Sequence, residues 1–212
     1  MVVVKPRLRG VSHQIAFYVA VCAGVVLIAA TNSARSRIAT TVYVVLLAAM
    51  LGVSASYHRI DWSPRSRTWW GRADHAMIFA FIAGTYTPVC LLGLDRATGN
   101  RLLALAWSSA GLGILRALLW PRPPRAISTA LYIAVGWIVV AYFPEVWAAF
   151  DPVSLTLILL GGACFTIGAV VYATRRPDPV PAVFGYHEVF HALVLVACSC
   201  HFAAVARVAV AS

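Results

Sequence analysis

The chain has 212 residues, 61% hydrophobic and only 11% charged, where soluble domains carry about 25% charged residues. A mean hydropathy of +0.83 agrees, so composition excludes an ordinary soluble domain and points to an integral membrane protein. The formal net charge of +10 does not indicate nucleic acid, because the arginines sit in short segments beside apolar runs, where they set topology and meet anionic headgroups.

Seven stretches satisfy the requirement of about 20 apolar residues to cross a hydrocarbon core. They predict an all-α, polytopic, seven-transmembrane-helix bundle forming one domain over residues 1–212. The first, 14–31, has basic residues before it and "NSA" after it, a superficial likeness to a secretory signal. Its apolar run is too long for one and reads as a retained helix. The second, 38–57, runs into "SASYHR". Trp62, Trp69 and Trp70, in the loop that follows, read as interfacial anchors. The third, 74–94, opens on "DH" and contains "GTYTP", where Pro88 removes a backbone donor and predicts a kink. Gly84, Thr85 and Thr87 beside it allow close approach of neighbouring helices. The fourth, 101–120, carries Arg116 about a turn from its end, placed to snorkel. The fifth and sixth occupy 126–143 and 152–173. The seventh, 182–208, is over-long and must tilt or project beyond the bilayer. All five cysteines (Cys22, Cys90, Cys164, Cys198, Cys200) fall inside spans without a C-x-x-C pair and read as packing residues.

Lysine and arginine set the expected orientation. With the N-terminus inside, the inner segments hold Lys5, Arg7, Arg9, Arg59, Arg65, Arg67, Arg72, Arg122, Arg125, Arg175 and Arg176. The outer segments hold only Arg35, Arg37, Arg96, Arg101 and Arg207. The asymmetry predicts a cytoplasmic N-terminus and an outside C-terminus.

In that topology the polar residues within spans gather at one depth, and such residues are functional candidates by default. The second helix ends on the cytoplasmic side with Ser54 and His58, an i,i+4 pair on one face. The third begins there with Asp74, and the seventh begins there with "HEVFH", which holds His187, Glu188 and His191. Three imidazoles plus one open position match a catalytic zinc site whose fourth place is taken by water. Asp74 would hydrogen-bond that water, Ser54 fits behind the ligands, and Glu188 competes with Asp74 for the role of base. His13 reads as an interfacial or hydrogen-bonded residue. His75 points about 100° away from Asp74 and reads as structural. His201 lies about 15 Å along the helix from His191, too far for the same ion, and reads as packing.

"HEVFH" is also the zinc-protease spacing. A protease must find its third ligand downstream, and after His191 the chain has no Asp or Glu at all. His58 is the natural third donor. The alternative of b-type haem between His58 and the last helix suits the spacing less well, because two histidines one turn apart beside an acid favour zinc.

"SASYHR", "DHAMIFAFIAGTYTPVCL" and "GYHEVFH…HF" resemble the signatures of the hemolysin III family, bacterial members of the progestin and adipoQ receptor family. "RGVSH", Arg9 to His13, resembles the stretch before the first helix of the same group. The resemblance spans the whole chain and implies a seven-helix fold related to adiponectin receptors and, more distantly, alkaline ceramidases. It implies zinc on His58, His187 and His191, a water-holding Asp74 and a motif serine at Ser54.

The expected function is a zinc-dependent hydrolase of a lipid amide or ester, using zinc-bound water at the cytoplasmic side. Its partners would be membrane lipids and a lipid substrate within the bundle, without nucleic acid. The competing expectation is a non-enzymatic lipid or membrane sensor, or a channel, with a structural zinc. The preponderance of arginine over lysine, with abundant Ala and Val, points to a bacterial inner membrane.

Overall fold

The computed structural model describes residues 6–120 and 123–212, so Lys5 and Arg122 of the charge count lie outside the described residues. The chain folds as α1 (Val11–Ala29), α2 (Ala34–Arg59), α3 (Pro64–Pro88), α4 (Arg96–Leu119), α5 (Arg125–Gly136), α6 (Phe143–Ala149), α7 (Pro152–Thr174) and α8 (Tyr186–Ala211). Among the described residues, seven helical stretches are long and apolar enough to cross a membrane, with α5 and α6 sharing one of them. It is a polytopic all-helical membrane protein.

Local chemistry explains most helix starts. Ser33 and Ser36 cap α2 reciprocally, and Asp95 accepts the amides of Ala97 and Thr98 at the head of α4. Asp151 does the same for Val153 and Ser154 of α7, with Pro152 in the first turn. Ser63 followed by Pro64 starts α3 ten residues before the expected 74. Hydropathy hides that start, because the first turns are polar and carry Arg65, Arg67 and Arg72. Trp69 and Trp70 are therefore helical, while Trp62 in the preceding loop stacks on Trp70 at 4.8 Å. The last helix begins at Tyr186 rather than 182, after a turn closed between Val180 and Phe184.

The middle of the third span behaves as Pro88 predicts. Helical geometry loosens into one wide π turn over Val89–Gly93, which absorbs the missing donor. The fifth span departs further from a plain helix. It is interrupted after Gly136 by a 3-10 stretch, Ile138–Tyr142, before α6 resumes. In a bilayer the backbone groups freed by such a break need partners. Tyr86 of α3 supplies them: its hydroxyl donates to the Gly136 carbonyl at 2.8 Å and accepts the Val139 amide at 2.9 Å.

Consecutive spans pack as neighbours, and α8 touches α1, α2 and α3 as well as α7, so the last span closes onto the first three. Fully buried Ala39, Ala83, Ala106, Ala110 and Ala197 let these helices approach closely. Tyr43, Leu47, Leu51, Phe81, Val194 and Val205 fill one core cluster. The large apolar side chains left exposed, such as Val26, Leu112 and Leu119, are those of a lipid-facing surface. Arg116 does not merely reach for an interface, since its guanidinium donates to Ser128 of α5 at 3.1 Å.

Candidate metal centre

One end of the bundle collects the histidines. His58 closes the last turn of α2, while His187 and His191 share a face in the first turns of α8. One ligand atom from each of the three lies within 4.8 Å of the others, a group that could hold a metal ion. The Nε2 atoms of His58 and His187 are 3.2 Å apart. The Nδ1 of His191 is buried and has no hydrogen-bond partner among the described residues.

Asp74 comes to the same point from α3, its Oδ2 3.9 Å from His58 Nε2. The Ser54 hydroxyl lies one turn before His58 and bonds His13 Nδ1 at 2.9 Å. His13, from α1, is buried and stacks flat on His191, with ring centroids 3.8 Å apart and planes 10° apart. Glu188 faces elsewhere. One carboxylate oxygen pairs with Arg9, and the other accepts the Gly185 amide at 2.9 Å, which caps α8.

The segment before α1 is held against the loop before α8 by Arg7 and Leu8 amides donating to the carbonyls of Ala182 and Val183. That contact delivers Arg9 to Glu188 and His13 to His191. Gly10 sits between them with φ 78°, and a Cβ there would lie 2.6 Å from the Cβ of His58. The left-handed backbone and the close approach together require glycine.

The site opens into a cavity of about 480 Å³ lined by His13, Ser54, His58, Asp74, His187 and His191 at one end. Away from the histidines its lining turns apolar, through Phe81, Ile82, Ile133, Ile158 and Leu159. His201 lines it at depth, its Nε2 donating to the Ile158 carbonyl at 3.1 Å. His75 bonds the Gly71 carbonyl at 2.7 Å.

The geometry thus brings together His58, His187, His191, Asp74 and Ser54, and sets Glu188 behind them. Sequence reasoning did not place Arg9, Gly10 or His13 at the site. "RGVSH" was the available signal, since glycine beside a buried-helix histidine marks a close backbone approach.

A model of the family described as Haemolysin-III related matches residues 1–202. The chain is 28% identical over 190 residues to "Hemolysin-3" of Bacillus cereus, covering 88% of this chain and 84% of that protein. It is 30% identical over 122 residues to "Hemolysin-3 homolog" of Bacillus subtilis (strain 168), covering 58% of this chain and 54% of the relative, about half its length. A plant protein, "Heptahelical transmembrane protein ADIPOR2" of Oryza sativa subsp. japonica, is 30% identical over 172 residues, 73% of this chain and 75% of the relative.

Proposed function

Because the chain belongs to the haemolysin-III-related family, we propose that it is a zinc-dependent hydrolase of a lipid amide or ester, working at the cytoplasmic face of a bacterial inner membrane. The observation that carries this reading is the juxtaposition of three imidazoles and one carboxylate with the head of an apolar cavity. A drug-sized ligand needs roughly 300–1,000 Å³, and this cavity of about 480 Å³ is large enough for one.

The donor set fits zinc. Two nitrogens each about 2.0–2.1 Å from a tetrahedral ion lie about 3.3 Å apart, against 3.2 Å between the Nε2 atoms of His58 and His187. The parallel stacking of His13 orients the third ring, and the buried Nδ1 of His191, without a hydrogen-bond partner among the described residues, is the kind of polar atom a bound ion or water would satisfy. Zinc bound there supplies Lewis acidity, polarising a carbonyl and making water a nucleophile near neutrality.

The chain's own residues do the rest. The apolar walls exclude bulk water and align the chain of the lipid so that its carbonyl faces the histidines. Asp74 Oδ2 takes a proton from water and returns it to the departing amine or alkoxide. Ser54, one turn before His58, bonds the His13 ring that stacks on His191 and so orients it behind the site. Glu188 serves position rather than proton transfer, since both its oxygens are engaged by Arg9 and Gly185.

The test is zinc content followed by turnover of a fatty acyl amide by purified protein. Asp74→Asn should keep zinc and lose turnover by about 10²–10⁴-fold, whereas Glu188→Gln should keep most of it. A second reading, a structural zinc in a lipid sensor, draws on the burial of His58 and His191, 6% and 2% exposed. Stoichiometric zinc with no turnover of any acyl amide or ester would favour that reading.

A further inference from the structure

A second, smaller cavity of about 280 Å³ lies against the first, and it is wholly apolar. Trp137, Val139, Ile158 and Leu159 line both, so these four side chains form the partition between them. We infer that Trp137 is the floor of the lipid cavity and sets the length of acyl chain that the site accepts, with the smaller cavity as the space it closes off. The inference rests on the reading that the main cavity holds a lipid chain.

The depth of the floor supports the assignment. His191 and His201 both line the main cavity, ten residues apart on α8, which is about 15 Å of helix. One leaflet of a hydrocarbon core about 30 Å thick has the same depth. A chain of ordinary membrane length, with its carbonyl at the histidines, therefore ends at the partition, and a longer one collides with it.

The floor is also pinned. The Trp137 indole N–H donates to Thr166 of α7 at 2.9 Å, and its ring edge lies over Gly162, where a Cβ would stand 3.5 Å away. The Tyr86 hydroxyl ties Gly136 and Val139 on either side of the same residue. His201 bonds the carbonyl of Ile158 in the opposing wall. A partition held by bonds from three helices keeps its position when a chain presses on it. Trp137 stands at the break after Gly136, where the α-helix gives way to the 3-10 stretch and Tyr86 bonds the backbone on either side. Beyond the partition, Val140, Phe143, Val146 and Leu155 complete an apolar space that a chain end would fill.

The experiment reads binding, not hydrolysis. Detergent-purified protein is incubated with an equimolar mixture of laurate, palmitate, behenate and lignocerate, freed of unbound lipid, and its retained fatty acids are quantified by mass spectrometry. Wild type should retain palmitate over behenate. Trp137→Ala, which joins the two cavities, should raise the behenate-to-palmitate ratio by about tenfold or more, the gain expected when at least two further methylenes become buried at roughly a factor of four each. Trp137→Phe, which loses the Thr166 bond but keeps most of the bulk, should leave the wild-type profile largely in place. Val140→Trp added to Trp137→Ala refills the smaller cavity from a half-exposed position and should restore it. An unchanged profile in Trp137→Ala, or an equal shift in Trp137→Phe, would overturn the inference. Retention of no fatty acid by wild type would overturn it together with the lipid reading beneath it. A shifted profile in a protein that hydrolyses nothing would defeat the hydrolase reading and leave the floor standing.

Discussion

His13 lies flat on His191, ring centroids 3.8 Å apart, although the two are separated by almost the whole chain. The contact joins the first turn of α1 to the turn of α8 that carries His187 and His191, and the Ser54 hydroxyl bonds the Nδ1 of the His13 ring. Residues that orient metal ligands typically contribute about 10–100-fold to affinity. His13→Ala should weaken zinc binding by a factor in that range without abolishing it, and His13→Phe, which keeps the stacked ring, should lose less. Competition with a zinc chelator measures both. Equal zinc affinity in His13→Ala and wild type would show that the stacking is incidental.

Gly10 gives a sharper structural test. A methyl group there meets the Cβ of His58 and must also occupy a left-handed backbone. Gly10→Ala should destabilise the protein by more than about 1 kcal/mol and reduce zinc occupancy with it. Gly111→Ala, in mid-helix with nothing within 4 Å of the added carbon, should be neutral or stabilising. Thermal unfolding in detergent compares the two, and matching shifts would contradict the assignment.

Tyr86 satisfies two backbone groups at the break in the fifth span. Tyr86→Phe keeps the ring and leaves both groups unpaired in a water-poor interior, which should cost about 1–3 kcal/mol. Hydrogen exchange should rise first at Val139. Unaltered stability and exchange would mean that the break satisfies itself.

At the other end of the bundle, Asp151 is held down to about 2 from an ordinary 3.8, mainly by the Ser154 hydroxyl and amide, with Arg207 adding to them. A carboxyl depressed on folding contributes stability above its unfolded value and loses it as pH falls through the folded one. The stability gap between wild type and Asp151→Asn should therefore be constant above about pH 5 and narrow below pH 3.8, towards about 2. Unfolding temperatures of the pair across that range give the answer. A gap independent of pH would assign the contribution to helix capping geometry rather than charge.

The seven spans were legible because membrane crossing imposes length and hydropathy on each stretch separately. His58, His187, His191 and Asp74 were legible as a set because topology places their helix ends at one depth, and the i,i+4 spacing faces the last-helix pair the same way. What escaped depends on partners far apart in the chain. The break after Gly136 is stabilised by a hydroxyl fifty residues earlier, so nothing local announces it. The early start of α3 follows the serine–proline cap at Ser63, which a hydropathy window passes over. Arg9 and His13 sit outside the apolar pattern, and only the pairing of the N-terminal segment with the loop before α8 carries them to Glu188 and His191.

Zinc content of the detergent-purified protein, wild type beside His58→Ala, tests the central claim most directly. One zinc per chain in wild type, lost in the variant while the helical content stays, is the predicted result, because His58 brings α2 against the two histidines of α8. Zinc absent from wild type, or retained in full by His58→Ala, would contradict a centre shared between the two helices.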